Sequence, residues 1–202
     1  LYNLKTKEKK LVKEQVIPTG HDPKNYIVQR IECNSDDGRK VPLTITRHKD
    51  TPLDGSANLL LYGYGSYGAS MSPSFSSTRL SLINRNIIWV TAHIRGGMER
   101  GMKWWKEGKL LNKKNTFNDY IAAAIFLIEK KYTSKGKIIG LGGSAGGLLM
   151  GAVVNKAPDL FLGMIMAVPF VDSLTTNLDH SLPLTIGELS LIHISEPTRL
   201  NP

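Results

Sequence analysis

Along the chain the spacing of apolar positions keeps switching between two periods. Residues 26–33 and 40–47 alternate with the two-residue rhythm of strands, on either side of the turn-forming run Ser35-Asp36-Asp37-Gly38. Residues 58–62 are a short apolar run that ends in a glycine-rich stretch, the pattern of a buried strand. Over 76–85 the spacing puts Leu80 and Ile83 on one helical face, and 86–93 reads as the next strand. A short helix is predicted over 102–109 and a longer one over 116–131, where Tyr120, Ala124, Leu127 and Ile128 form an apolar stripe. A strand over 137–141, a helix over 144–155 and a strand over 163–168 complete the alternation. Strands and helices in this order predict an α/β fold with a doubly wound, mostly parallel sheet.

The first residues do not follow that rhythm. Residues 2–16 predict a hairpin: a strand, a charged turn over 5–10, and a second strand. Two strands alone are marginal in water, so the pattern implies a larger β unit. His21-Asp22-Pro23 then reads as a linker with turn chemistry. The chain opens on Leu1, and its first ten residues lack the basic-then-apolar order of a signal peptide, so it reads as the middle of something longer.

Composition narrows the class further. At 202 residues, 41% hydrophobic and 21% charged, the chain has the length and make-up of one α/β domain with a real core. No apolar run approaches the roughly 18–20 residues of a membrane span, so no membrane partner is expected. A single cysteine, Cys33, excludes a disulfide framework and a thiolate metal cluster. It fits a reducing compartment, and a cytoplasmic location is expected. The net charge of +9 raises a nucleic-acid reading, but the lysines are dispersed over 5–13 and 103–135 without a basic stripe interleaved with aromatics. Solvated lysines are the expectation, with no nucleic-acid partner. Nothing in the chain specifies an oligomeric state.

The chemistry concentrates in residues 137–150, where an apolar strand runs into Gly142-Gly143-Ser144-Ala145-Gly146 and then a helix. This is G-x-S-x-G in the strand–turn–helix context that a nucleophile elbow requires. The turn strains the serine backbone, and glycines at 142 and 146 remove side chains that would collide. The elbow lifts Ser144 above the sheet edge and aims a helix N-terminus at the reaction, so the Ala145 N–H faces a developing oxyanion. The competing reading is a phosphate- or dinucleotide-binding loop. The segment lacks the lysine of the first and the G-x-G-x-x-G spacing of the second, so no cofactor is implied.

Two further clusters flank this segment. Tyr62-Gly63-Tyr64-Gly65-Ser66-Tyr67-Gly68 follows the third strand, where a second oxyanion donor belongs. A tyrosine hydroxyl there can donate, or the ring can be a core aromatic in a turn; the residues alone leave both open. His93-Ile94-Arg95-Gly96-Gly97-Met98-Glu99 follows another strand. Its Arg95 and Glu99 are expected to pair, buried, around the site loop, and His93 is expected to be a core histidine.

Together, Gly63-Tyr64-Gly65-Ser66-Tyr67-Gly68, Arg95-Gly96-Gly97-Met98-Glu99, Asn115-Thr116-Phe117-Asn118-Asp119 and Gly142-Gly143-Ser144-Ala145-Gly146-Gly147 resemble the prolyl oligopeptidase family. Lys113 to Tyr120 and Val168-Pro169-Phe170-Val171-Asp172 resemble its oligopeptidase B branch. The resemblance covers about residues 1–188. It implies an α/β-hydrolase domain, incomplete here, beneath a β-propeller of which residues 1–16 are the last strands; residues 17–188 are then the partial peptidase domain. It implies a serine endopeptidase that cleaves oligopeptides after Lys or Arg, with Ser144 as nucleophile and the Tyr64 hydroxyl and Ala145 N–H as oxyanion hole. An esterase or acyl-peptide hydrolase on the same elbow, or a catalytically dead fragment, are the alternatives.

The carry-over is partial. Of the family's acidic pocket for the basic side chain, the first glutamate falls on Glu188, but the second falls on Ser190. The acidic pair that some members use for a neighbouring basic residue falls on Ser72 and Ser74. A triad of this order needs Asp and then His, about 80 and about 120 residues beyond the serine in the family, and 58 residues follow Ser144. Asp172, Asp179, His180 and His193 lie in that stretch, and none matches a triad position. Residues 189–202 depart from the family pattern and resemble a translated sequencing adapter, a non-native tail.

Overall fold

The computed structural model describes residues 1–18, 20–179, 181–182, 185 and 187–189. Strands β1 (Tyr26–Asn34) and β2 (Lys40–His48) form an antiparallel pair in register from Tyr26 opposite His48 to Asn34 opposite Lys40. Gly38, at φ 78°, takes the left-handed position of the turn between them. After them come β3 (Leu59–Tyr62), α1 (Ser77–Ile83), β4 (Ile88–Ala92), α2 (Met102–Lys106), α3 (Lys113–Glu129), β5 (Ile138–Gly143), α4 (Ala145–Lys156), β6 (Phe161–Ala167) and α5 (Ser173–Leu178). The strand alternation and the order of elements therefore match the sequence pattern, except that nothing in the pattern foresaw α5.

The strands form one sheet in the order β1-β2-β4-β3-β5-β6. Its β4-β3-β5-β6 portion is parallel, while β2 pairs with both β1 and β4 antiparallel. The connection from β3 to β4 runs one way along the sheet and that from β4 to β5 runs back over β3. Right-handed crossovers then put α1 on one face and α3 and α4 on the other. Accordingly α1 packs on β4 and β2, and α3 and α4 pack on each other. The carboxyl ends of the four parallel strands point the same way, and the loops leaving them converge on one edge, where open α/β sheets bind ligands.

The core lies between the sheet and the α3–α4 layer. Leu59, Leu61, Ile88, Val90 and Ile138 from the strands meet Tyr120, Ala123, Ala124 and Leu127 of α3 and Leu149, Met150 and Val153 of α4. Positions 120, 123, 124 and 127 are the i, i+3, i+4, i+7 face of a helix, and fully burying a side chain such as Leu127 is worth about 1.5–3 kcal/mol. The Tyr120 hydroxyl donates to the Leu61 carbonyl at 2.6 Å, which lets a phenol sit in the apolar layer.

Helix α3 starts three residues before the apolar period does. Residues 113–116 are polar, yet Thr116 donates to the Arg95 carbonyl (2.9 Å) and Asn115 to the Glu107 carbonyl (2.9 Å). Tertiary partners thus extend the helix where propensity is neutral. Helix α2 is correspondingly shorter than the sequence reading, ending at Lys106.

At the N-terminus the expected hairpin forms only in part. Tyr2 bridges Lys9 antiparallel, with Asn3 N–H donating to the Glu8 carbonyl at 3.0 Å, but residues 11–16 form no strand. Leu4, Leu11, Val12 and Val16 are exposed. Without a second sheet or helix to cover it, a two-stranded ribbon of this length has no buried face to hold it.

Candidate active site

Strand β5 delivers the chain into Ser144 at φ 53°, ψ −118°, and α4 starts at the next residue. Such a backbone costs a non-glycine residue on the order of 1–3 kcal/mol, so its surroundings must hold it. They do: the Ser144 N–H donates to the Ala167 carbonyl (2.9 Å), and the Ser144 carbonyl accepts from Gly147 (2.8 Å) and Phe170 (2.9 Å). The serine is left exposed at the sheet edge, while Ala145 and Gly146 are buried behind it. Ala145 opens α4, so its N–H belongs to the first helical turn, whose donors have no intrahelical acceptor.

The glycines do what the spacing required. A Cβ on Gly142 would run into the Gly146 carbonyl, and one on Gly146 would lie 2.9 Å from the Gly63 oxygen. In both cases the obstacle is backbone, which cannot rotate away. Gly142→Ala is therefore expected to lower the stability of the chain by about 1–3 kcal/mol. Urea unfolding measures this, and an unchanged midpoint would show that the elbow is not tightly packed.

Strand β3 pairs with β5 in parallel, Tyr62 opposite Leu141, so the loop after β3 lies beside the elbow. The Tyr64 ring lies 3.5 Å from where a Gly146 Cβ would stand. Burial, then the nearby Tyr62 and Glu188, push the Tyr64 hydroxyl above its ordinary pKa. It stays protonated at neutral pH, as a donor must. The Tyr64 ring is half-buried and packs beside Gly146 at the start of α4.

Glu188 is almost fully buried. Its Oε1 accepts from Lys113 Nζ at 3.3 Å and its Oε2 from the Trp105 indole at 3.0 Å. Its carbonyl accepts from the Leu110 N–H at 2.9 Å. Lys113 also donates to the Gly65 carbonyl and the Ser66 hydroxyl, both at 2.6 Å. Burial pulls the Lys113 ammonium down to a pKa of about 8, against the pull of Glu188. The fold thus ties Glu188 to the tyrosine loop through Lys113 and Trp105. The run from Lys113 to Tyr120 stands out in the sequence, but nothing local marks Trp105 or the contacts of either residue, because their partners lie about 50 to 80 positions away.

The expected Arg95–Glu99 pair does not form. The Arg95 guanidinium instead meets Asp119 of α3, with Nε to Oδ2 at 2.9 Å and Nη2 to Oδ1 at 2.5 Å, and Asp37 of the β1–β2 turn at 2.5 Å. Ser35 donates to Asp119 Oδ1 at 2.6 Å. The short Arg95-Gly96-Gly97 turn sends the two side chains apart, so the arginine reaches across the sheet end rather than along its own loop. Glu99 turns the other way, accepting from the Met71 N–H at 2.8 Å and lying 3.5 Å from His93 Nδ1. His93 is buried, with Nε2 2.8 Å from the Thr44 hydroxyl, as a core histidine should be.

Ser72 and Ser74 lie in the loop that Glu99 tethers, in successive turns closed by Ser72 N–H to Ser70 O (3.1 Å) and Ser74 N–H to Ser72 O (2.8 Å). Asp172 caps α5, accepting from the Thr175 N–H at 3.0 Å, a structural task. Asp179 is exposed and accepts from Ser181. His180, Ser190, His193 and residues 190–202 of the tail lie outside the described residues. Among the described residues no three His, Cys, Asp or Glu side chains gather as metal ligands, and no helix is long and apolar enough to cross a membrane.

Comparison with known proteins adds an independent line. A profile of the prolyl oligopeptidase family matches residues 73–197. Dipeptidyl aminopeptidase BI of Pseudoxanthomonas mexicana is 47% identical over 187 residues, 92% of this chain and 26% of that protein. Protease 2 of Moraxella lacunata is 46% identical over 92% of the chain and 27% of its own length. In structure, oligopeptidase B from Trypanosoma brucei, in a closed form with covalently bound antipain, superposes with a TM-score of 0.87 at 41% identity, over 93% of this chain and 27% of that one. The chain spans about a quarter of the length of the relatives it matches. The elbow, the tyrosine loop beside it and the mixed sheet that aligns them are an α/β-hydrolase arrangement, and the chain belongs to the prolyl oligopeptidase family.

Proposed function

We propose that this chain is the nucleophile-bearing part of a serine endopeptidase that cleaves oligopeptides after Lys or Arg. The observation that carries the reading is Ser144, strained and exposed at the elbow with the Tyr64 loop against its helix. In the proposed reaction Ser144 Oγ attacks the scissile carbonyl carbon while a histidine takes its proton. The Tyr64 O–H and Ala145 N–H donate to the oxygen that becomes negative. The C–N bond breaks as the imidazolium returns the proton to the leaving amine, and water then hydrolyses the acyl-serine. The covalent antipain adduct of the Trypanosoma brucei relative supports a nucleophile in that protein. No Asp or His between Ser144 and Pro202 falls on the family's triad positions, so the chain by itself is proposed to be inactive. Residues 1–16 are proposed as the end of a β-propeller, 17–188 as the partial hydrolase domain, and 189–202 as a non-native tail.

Glu188 is proposed to hold the basic side chain of the residue before the scissile bond. A carboxylate offers about four lone-pair sites, and Lys113 and Trp105 take two of them. A guanidinium can engage the remainder. The test is Glu188→Gln in an enzyme of full length that carries this chain in place of the matching stretch of the Moraxella lacunata relative. kcat/KM for an arginyl amide is expected to fall about 30- to 900-fold, equivalent to about 2–4 kcal/mol, while that for a small neutral ester is spared. Parallel losses on both substrates, or none on either, would remove Glu188 from the pocket. A chimera active on esters alone would instead favour the esterase reading.

A further inference from the structure

Lys113 is an expensive residue where it stands. Its side chain is 2% exposed, and it is the first residue of α3, where the helix dipole disfavours a cation. A neutral donor would satisfy the Gly65 carbonyl and the Ser66 hydroxyl at lower cost. What the ammonium adds is charge beside Glu188, itself buried to the same degree. Among the described residues no other cation reaches Glu188: Lys109 stacks on the outer face of Trp105, 3.9 Å from the ring centroid. Arg95 is taken up by Asp119 and Asp37.

We propose that Lys113 is the resident cation of the Glu188 pocket: it neutralises the carboxylate while the pocket is empty and competes for it with an entering basic side chain. This rests on the reading of Glu188 as the pocket acid, and it makes Lys113 a specificity-determining residue. An entering ammonium only exchanges like for like. A guanidinium spreads its charge and donates in a fork, so it shares the carboxylate with Lys113 at lower cost. The pocket should therefore prefer arginine to lysine, and both should bind better when Lys113 is neutral. The groups near the Lys113–Glu188 pair are Lys109, over the Trp105 ring, and the hydroxyls of Tyr64 and Tyr67. Burial, with Glu188 adding to it, pushes both of those hydroxyls upward, so they stay neutral through pH 9. Lys113, near 8, loses most of its charge between pH 7 and pH 9.

The test uses the 202-residue chain, with the Trp105 indole N–H as reporter because it donates to Glu188. N-acetyl-arginine amide and N-acetyl-lysine amide are titrated into 15N-labelled protein at pH 7 and pH 9. Wild type is expected to bind the arginine probe about tenfold more tightly than the lysine probe, and to gain about tenfold for both between the two pH values. Lys113→Gln should bind both probes about tenfold more tightly at pH 7 and lose the pH dependence. Lys113→Arg, which keeps the charge at both pH values, should stay weak throughout. A purely structural Lys113 predicts weaker binding in Lys113→Gln, and that result, or a flat pH response in wild type, overturns the proposal. Should Lys113→Gln unfold, the wild-type pH response and Lys113→Arg still decide. Binding that vanishes in Glu188→Gln but is not tightened in Lys113→Gln removes only the resident-cation role. Failure of every form to bind removes the pocket reading and this inference with it.

Discussion

Assayed by itself on an arginyl amide, the 202-residue chain is expected to turn over about 10⁴–10⁶-fold more slowly than an intact relative. The reason is the proton. A serine hydroxyl is a poor nucleophile until a positioned base removes its hydrogen as the bond forms. Each described histidine is engaged elsewhere. His21 stacks on Tyr26 with ring centroids 5.0 Å apart, His48 lies 3.5 Å from Asp50, and His93 is walled in by Thr44 and Glu99. Beyond the elbow, Asp172 spends its side chain on capping α5 and Asp159 pairs with Lys135. What remains is the proposed oxyanion arrangement, which assists attack by water without needing the Ser144 hydroxyl. Ser144→Ala should therefore leave the residual rate unchanged. Hydrolysis within tenfold of an intact relative, abolished by Ser144→Ala, would mean that a base exists which the described residues do not include.

The second large effect concerns stability. Asp119→Ala is expected to cost about 3–5 kcal/mol, because it leaves the Arg95 guanidinium buried with only the partly exposed Asp37 as counter-charge. The pair is fully desolvated, and Asp119 also accepts from the Arg95 backbone N–H at 3.0 Å and from Ser35. Removing it strips partners from three elements at once: the β1–β2 turn, the loop after β4, and α3. Arg95→Leu in the same background should recover part of the loss, since the uncompensated charge then disappears. Urea unfolding of the single and double variants measures both quantities. A loss below about 1 kcal/mol for Asp119→Ala would show that water reaches the guanidinium and that the cluster is not a buried hub.

The course of the strands was legible because period-two stretches and turn residues coincide, as in 26–33, 40–47 and the Ser35–Gly38 turn. The elbow was legible for a stronger reason: its requirements are local. A strained serine between a strand and a helix needs small residues at fixed offsets, and Gly142 and Gly146 meet backbone obstacles only four residues apart or across one strand pairing. The partner of Arg95 was not legible, because Glu99 at four positions and Asp119 at 24 are equally good acids on paper. Only the geometry of the Arg95-Gly96-Gly97 turn and the approach of α3 chose between them.

By itself, then, the sequence determined the α/β class, the apolar face of α3 and the serine elbow, each a matter of spacing within one or two elements. The tertiary structure alone decided that β2 pairs antiparallel on both sides, and that the period-neutral residues 113–115 join α3. It alone decided that Glu188 is met by Lys113 from 75 positions away and by Trp105 from 83. A buried charge takes whatever counter-charge the packed layers bring within reach, and distance along the chain carries no information about which one that is.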